Sequence, residues 1–122
     1  MNKQEYIQQV AEWARIRGYT DIKANAEGFS KPGGYGRQQD GESFVPDVTG
    51  IQSGARTYFE VMLKTSDKDY LTAKLKLLHQ LTIINGGKLF LMAPKGHSMF
   101  AKNILEGSRI NAEIVALPER RK

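Results

Sequence analysis

The chain has no cysteine, which excludes disulfide staples, thiolate metal sites and cysteine nucleophiles, and fits a reducing, cytoplasm-like compartment. It has only two histidines, His79 and His97, far apart in sequence and with no partners for a histidine-based metal site. Long apolar runs are also missing. The stretch Leu89 to Ala93 is far too short to cross a bilayer, and Met1-Asn2-Lys3-Gln4-Glu5 has no apolar segment behind it, unlike a secretory leader. Ser30 and Ser98 have no nearby base to activate them, which leaves serine-based hydrolysis unsupported.

What remains is an ordinary globular balance: 122 residues, 40% hydrophobic and 25% charged, the size of one domain spanning residues 1–122. Eighteen Lys and Arg against thirteen Asp and Glu leave a net charge of +5. That excess suits a polyanionic partner, nucleic acid first among them, and equally a protein that stays soluble by its charge.

Periodicity predicts a helix from Lys3 to Arg17 (Tyr6, Ile7, Val10, Trp13, Ala14), then a weak edge strand over Thr20 to Ala26. The glycine-rich stretch Gly28 to Gly41 reads as a mobile loop whose Lys31 and Arg37 are candidate contacts to a phosphate backbone. Strands are expected over Phe44 to Ile51 and Arg56 to Lys64, joined by a turn at Gln52-Ser53-Gly54. On the second, Phe59, Val61 and Leu63 are expected to face the core, and Tyr58, Glu60, Met62 and Lys64 a polar side. A helix from about Lys68 to Ile84 follows, with Leu71, Leu75, Leu78 and Leu81 as its buried stripe. Lys88 to Ala93 reads as an interior strand, Ser98 to Glu106 as a helix, Ala112 to Leu117 as a last strand, and Arg120-Arg121-Lys122 as a basic tail. The order is α-β-β-β-α-β-α-β. It implies an α/β fold with a mixed central sheet flanked by helices: an antiparallel three-strand meander, then parallel strands added by right-handed crossovers.

A turn centred on Ser53-Gly54 sets Asp47 opposite Glu60, Thr49 opposite Tyr58 and Val45 opposite Met62. Directly opposed residues lie about 5 Å apart at Cβ, and like charges there are destabilising. Either the turn is shifted by one residue, or both carboxylates converge on a divalent cation such as Mg²⁺, which prefers oxygen ligands. Neither residue has an evident capping role, which favours the cation.

Pro46-Asp47, then Glu60 on a hydrophobic strand with a lysine close behind, resembles the PD-(D/E)XK nuclease superfamily, as does the order of elements from Met1 to about Pro94. The resemblance implies a restriction-endonuclease-like core and a small nuclease, similar to restriction enzymes or Holliday-junction resolvases. It implies metal-dependent endonucleolytic hydrolysis of DNA, with Asp47 and Glu60 binding Mg²⁺, or Mn²⁺ in its place. A lysine, which in that superfamily lies two residues after the Glu, would orient water or stabilise developing charge. Met62 occupies that lysine's position here. Lys64 on the same strand face is one replacement, and Lys74 on the next helix is another. Glu12 on the first helix and Gln80 on the helix after the lysine match positions that some members use. Lys31, Arg37 and Arg56 would contact DNA, and a homodimer would help so small a nuclease grip a duplex. Met62 leaves open an alternative: a catalytically inactive nuclease-like fold that binds nucleic acid or serves assembly. A small α/β domain that binds a protein partner is a third reading.

Overall fold

A computed structural model describes residues 1–36 and 43–118 of the chain; Arg37, the end of the glycine-rich stretch and the tail 119–122 lie outside the described residues. Helix α1 spans Lys3–Ile16. Its N-terminus is closed by a reciprocal pair of hydrogen bonds, Glu5 N–H to Asn2 Oδ1 at 2.9 Å and Asn2 N–H to Glu5 Oε1 at 3.1 Å. Strand β1 (Thr20–Ala24) follows. The two-residue strands β2 (Tyr35–Gly36) and β3 (Ser43–Phe44) pair only with each other. Strands β4 (Val48–Gln52) and β5 (Ala55–Val61), helix α2 (Lys68–Asn85), strand β6 (Lys88–Ala93), helix α3 (Ser98–Glu106) and strand β7 (Glu113–Ala116) complete the order.

The main sheet runs β1-β4-β5-β6-β7. The first three strands are antiparallel, and β5, β6 and β7 are parallel. The expected meander with parallel additions, the edge position of β1 and the interior position of β6 are all present.

The expected strand Phe44 to Ile51 is broken in two. Phe44 pairs with Tyr35 in the small sheet, and β4 begins only at Val48. Pro46 lies in the gap, where its missing N–H cannot serve a ladder. The second strand likewise stops at Val61, short of the expected Lys64.

Both faces of the sheet are covered. On one, Ile7, Val10 and Ala14 of α1 pack against Val48, Phe59 and Val61. On the other, Leu75 and Leu78 of α2 and Ala101 and Ile104 of α3 pack against Tyr58, Met62 and Leu91. This corrects the expectation of a polar second face on β5: Tyr58, Glu60 and Met62 are all buried. Alternation alone does not distinguish a solvated face from one that a later helix covers. Full burial of side chains this size contributes about 1.5–3 kcal/mol each, so the second face carries a large share of the stability.

The α2-to-β6 connection is tight. Gly86 takes the left-handed conformation at φ 75° to end the helix, and a Cβ on Gly87 would lie 2.0 Å from the Arg56 carbonyl oxygen.

Candidate active site

The β4–β5 hairpin turns through Ser53 and Gly54, both at positive φ (53° and 76°), in a two-residue loop. That geometry matches the twist of the strands and fixes the register. Val48 pairs with Phe59 and Thr49 with Tyr58, so Asp47, one residue before β4, is aligned with Glu60. The expected opposition of the two carboxylates is present.

Both are almost wholly buried, Asp47 at 2% and Glu60 at 1% exposure. Asp47 Oδ2 accepts a hydrogen bond from the Val61 N–H at 2.8 Å, bridging from the end of one strand to its neighbour. Its other oxygen, Oδ1, lies 3.5 Å from Lys74 Nζ and 3.3 Å from Lys3 Nζ. Lys74, itself buried in the middle of α2, stands 3.1 Å from Glu60 Oε1. It lies off the hydrogen-bonding direction, so Oε1 is ion-paired yet has no aligned donor among the described residues. A buried, unsatisfied carboxylate oxygen is costly and calls for a reason.

The electrostatics separate the two acids. Burial, the adjacent Asp47 charge and the hydrogen bond with Asp47 push Glu60 well above the usual carboxylate range, against the pull of Lys74. Burial also acts to raise Asp47. There it is outweighed by the hydrogen bond with Glu60, the ammonium groups of Lys74 and Lys3 and the Val61 N–H, which together hold Asp47 below its ordinary value. Burial acts to lower Lys74, but the two carboxylates hold it above its ordinary value, and it stays charged.

These groups line a cleft of about 470 Å³ whose wall also includes Ser43, Lys64 and Tyr70. A larger cleft, about 580 Å³, opens at the start of β6 beside His79, Lys88 and Glu113. It contains none of the buried charged groups, which are Asp47, Glu60 and Lys74 alone among the described residues. The smaller cleft is therefore the chemical one.

The other sequence-predicted residues are distributed as follows. Lys64 lines the cleft but is exposed beyond the end of β5, and its backbone N–H donates to His97 Nδ1 at 3.0 Å. Met62 is fully buried in the apolar layer under α2 and α3. Glu12 stands on the exposed side of α1 and pairs with Arg15, whose Nε donates to Glu12 Oε2 at 3.0 Å. Gln80 is exposed on a part of α2 that does not line the cleft. Lys31 donates its ammonium to the carbonyl oxygens of Ala26 and Phe29, while Arg56 donates to the Tyr35 hydroxyl at 3.2 Å.

Sequence reasoning put Lys74 among the alternatives and missed Lys3 altogether. Lys74 did carry a signal: it falls inside the apolar stripe of α2, next to Leu75 and one turn from Leu71 and Leu78, where a lysine is out of place unless paired. Lys3 carried a weaker one: a cation in the first turn of a helix opposes the helix dipole.

Among the described residues, no three His, Cys, Asp or Glu side chains cluster to hold a metal ion by themselves. The donors here are oxygens of two carboxylates. That set suits a hard divalent ion, which commonly takes one or two carboxylates and fills its remaining positions with water and substrate oxygens. The chain matches no protein-family model and no curated protein sequence. None of its described helices is long and apolar enough to cross a membrane.

Proposed function

We propose that this chain is a metal-dependent nuclease of the PD-(D/E)XK kind that hydrolyses DNA phosphodiester bonds. One observation carries the reading: Asp47 and Glu60, buried side by side at the end of a hairpin, share the ammonium of Lys74. A structural ion pair would not need a second carboxylate whose proton is hard to remove. The antiparallel meander followed by a parallel strand through α2 supports a restriction-endonuclease-like core. The +5 net charge suits a nucleic-acid substrate.

In this reading Asp47 and Glu60 hold Mg²⁺, with Mn²⁺ able to substitute, and Lys74 supplies the cation that Met62 cannot. When bound, the ion lowers the pKa of a coordinated water and offsets charge on the scissile phosphate. Asp47, held ionised, presents Oδ1 to the cleft. Glu60 must give up its proton to act as a ligand, and Lys74 at 3.1 Å favours that loss. Lys74 Nζ, beside both carboxylates, would offset negative charge that develops on the phosphate. Lys64 on the wall of the same cleft is placed to contact the DNA backbone. Lys31 and Arg56 would have to leave their present partners to do so. A symmetric pair of chains gripping a duplex, in the cytoplasm, belongs to the same proposal.

The test is a panel of supercoiled, linear, single-stranded and four-way-junction DNA in EDTA, Mg²⁺ or Mn²⁺. Cutting that needs metal and disappears in Asp47→Ala is the expected result. Cutting retained by Asp47→Ala would remove this site from consideration. Salt-sensitive binding without turnover would leave the inactive binding module in its place.

A further inference from the structure

The site holds a second lysine that differs from Lys74 in one decisive respect. Lys74 is 8% exposed and fixed within α2, whereas Lys3 is 51% exposed and extends from the first turn of α1 to Asp47 Oδ1 at 3.3 Å. Its backbone is held by the Asn2–Glu5 capping bonds, so the base of the side chain is fixed while the ammonium can swing. A cation in the first turn also opposes the helix dipole. Local rules broken in this way tend to mark function.

The charge balance shows what Lys3 does there. Asp47 Oδ2 already accepts the Val61 N–H, while Oδ1 is approached by two ammonium groups, Lys74 at 3.5 Å and Lys3 at 3.3 Å, so Oδ1 is the oxygen on which a cation is already placed and Lys3 the exposed one of the two. With the ion present, two ammonium groups and two positive charges would crowd the carboxylates. Lys74 has nowhere to go, while Lys3 stands at the mouth of the cleft and is free to leave. We propose that Lys3 is an exchangeable counter-cation: it occupies Asp47 Oδ1 in the metal-free protein, yields to the divalent ion, and then binds a phosphate of the incoming DNA backbone. Lys3 is thus a positioning residue that couples metal loading to substrate capture. This rests on the nuclease reading above.

The two halves of the role carry opposite signs, which a merely structural lysine would not produce. Lys3→Met should bind Mn²⁺, followed by calorimetry without DNA, about 2- to 5-fold more tightly, the range of an exposed ion pair. The same variant should bind duplex DNA in Ca²⁺ more weakly, with the salt dependence reduced by roughly one phosphate contact. Lys3→Arg should restore both properties toward wild type. If wild type binds no Mn²⁺, the nuclease reading and this inference fall together. If wild type binds Mn²⁺ but Lys3→Met binds it no more tightly, or binds DNA equally well, the inference alone is overturned.

Discussion

The molecule contains two arrangements of glutamate and cation that teach opposite lessons. On the outer side of α1, Glu12 and Arg15 form an exposed pair, and the hydrogen bond from Arg15 lowers the Glu12 pKa. At the end of the β4–β5 hairpin, Glu60 also has a cation within reach, yet its pKa moves up, because burial and Asp47 outweigh Lys74. The chemical groups are nearly the same and the solvent is not. In water a cation has little carboxylate desolvation to offset. In the cleft it offsets only part of a large one, and Glu60 stays raised.

Breaking the buried arrangement should have the largest effects. Asp47→Ala is expected to lower metal-dependent cleavage by about a thousandfold or more, measured on the preferred substrate. Lys74→Met should cost about a hundred- to a thousandfold in turnover. It should also destabilise the metal-free protein by about 3–5 kcal/mol in urea titrations, because it leaves Asp47 buried without its fixed counter-charge. Adding Glu60→Gln to Lys74→Met should change stability little, because Glu60 is already held toward its neutral form; a large recovery of stability would show that Glu60 is charged before metal binds.

Met62→Lys places a lysine where the PD-(D/E)XK reading expects one. It places an ammonium among Leu75, Leu78 and Leu91, and should cost about 2–4 kcal/mol of stability without raising activity. A faster enzyme would show that the site lacks its lysine and that Lys74 does not supply it.

The pH dependence sharpens the contrast. Glu60 has its pKa raised on folding, so above its ordinary value of 4.5 the unfolded chain has released a proton that the folded chain still holds. Stability therefore falls as pH rises from there toward the folded-state value. Asp47 has the opposite sign: its contribution is present above 3.8 and is lost as pH falls through its lowered value. Melting temperatures of the metal-free protein should therefore decline as pH rises above 4.5. Mg²⁺ should flatten that decline, and Glu60→Gln should remove the part due to this residue. At the small end, Glu12→Gln and Gln80→Ala should leave melting temperature and cleavage unchanged, and a clear loss of cleavage in either would bring α1 or the exposed face of α2 into the site.

The hairpin register was legible because it is local: a two-residue turn at Ser53-Gly54 fixes every pair along the two strands, Val48 with Phe59 and Thr49 with Tyr58 among them. The order of the longer elements was legible for the same reason, since each is marked by its own period and stop; the two-residue strands β2 and β3, the first of them inside the stretch read as a loop, were not. What lay outside local reach was covering. Nothing within β5 says that α2 will bury Tyr58, Glu60 and Met62, and so nothing there says that the lysine serving Glu60 comes from a helix rather than the strand. Glu12 of α1 is exposed and paired with Arg15, away from the cleft; what α1 brings to the cleft is the ammonium of Lys3, at its first turn.

The tight connection after α2 has a consequence for how this chain can vary. Gly87 leaves no room beside the Arg56 carbonyl, and Leu75 and Leu78 key the helix into the sheet, so α2 is fixed in rotational phase as well as position. One residue inserted between Leu78 and Gly86 would set the keyed part of the helix, Lys74 included, about 100° out of phase with the anchor at Gly87, so that Lys74 and the tight connection could not both keep their places. The length of that segment is thus as much a part of the site as the identity of its lysine, and change of length is better tolerated in the loops that border the cleft.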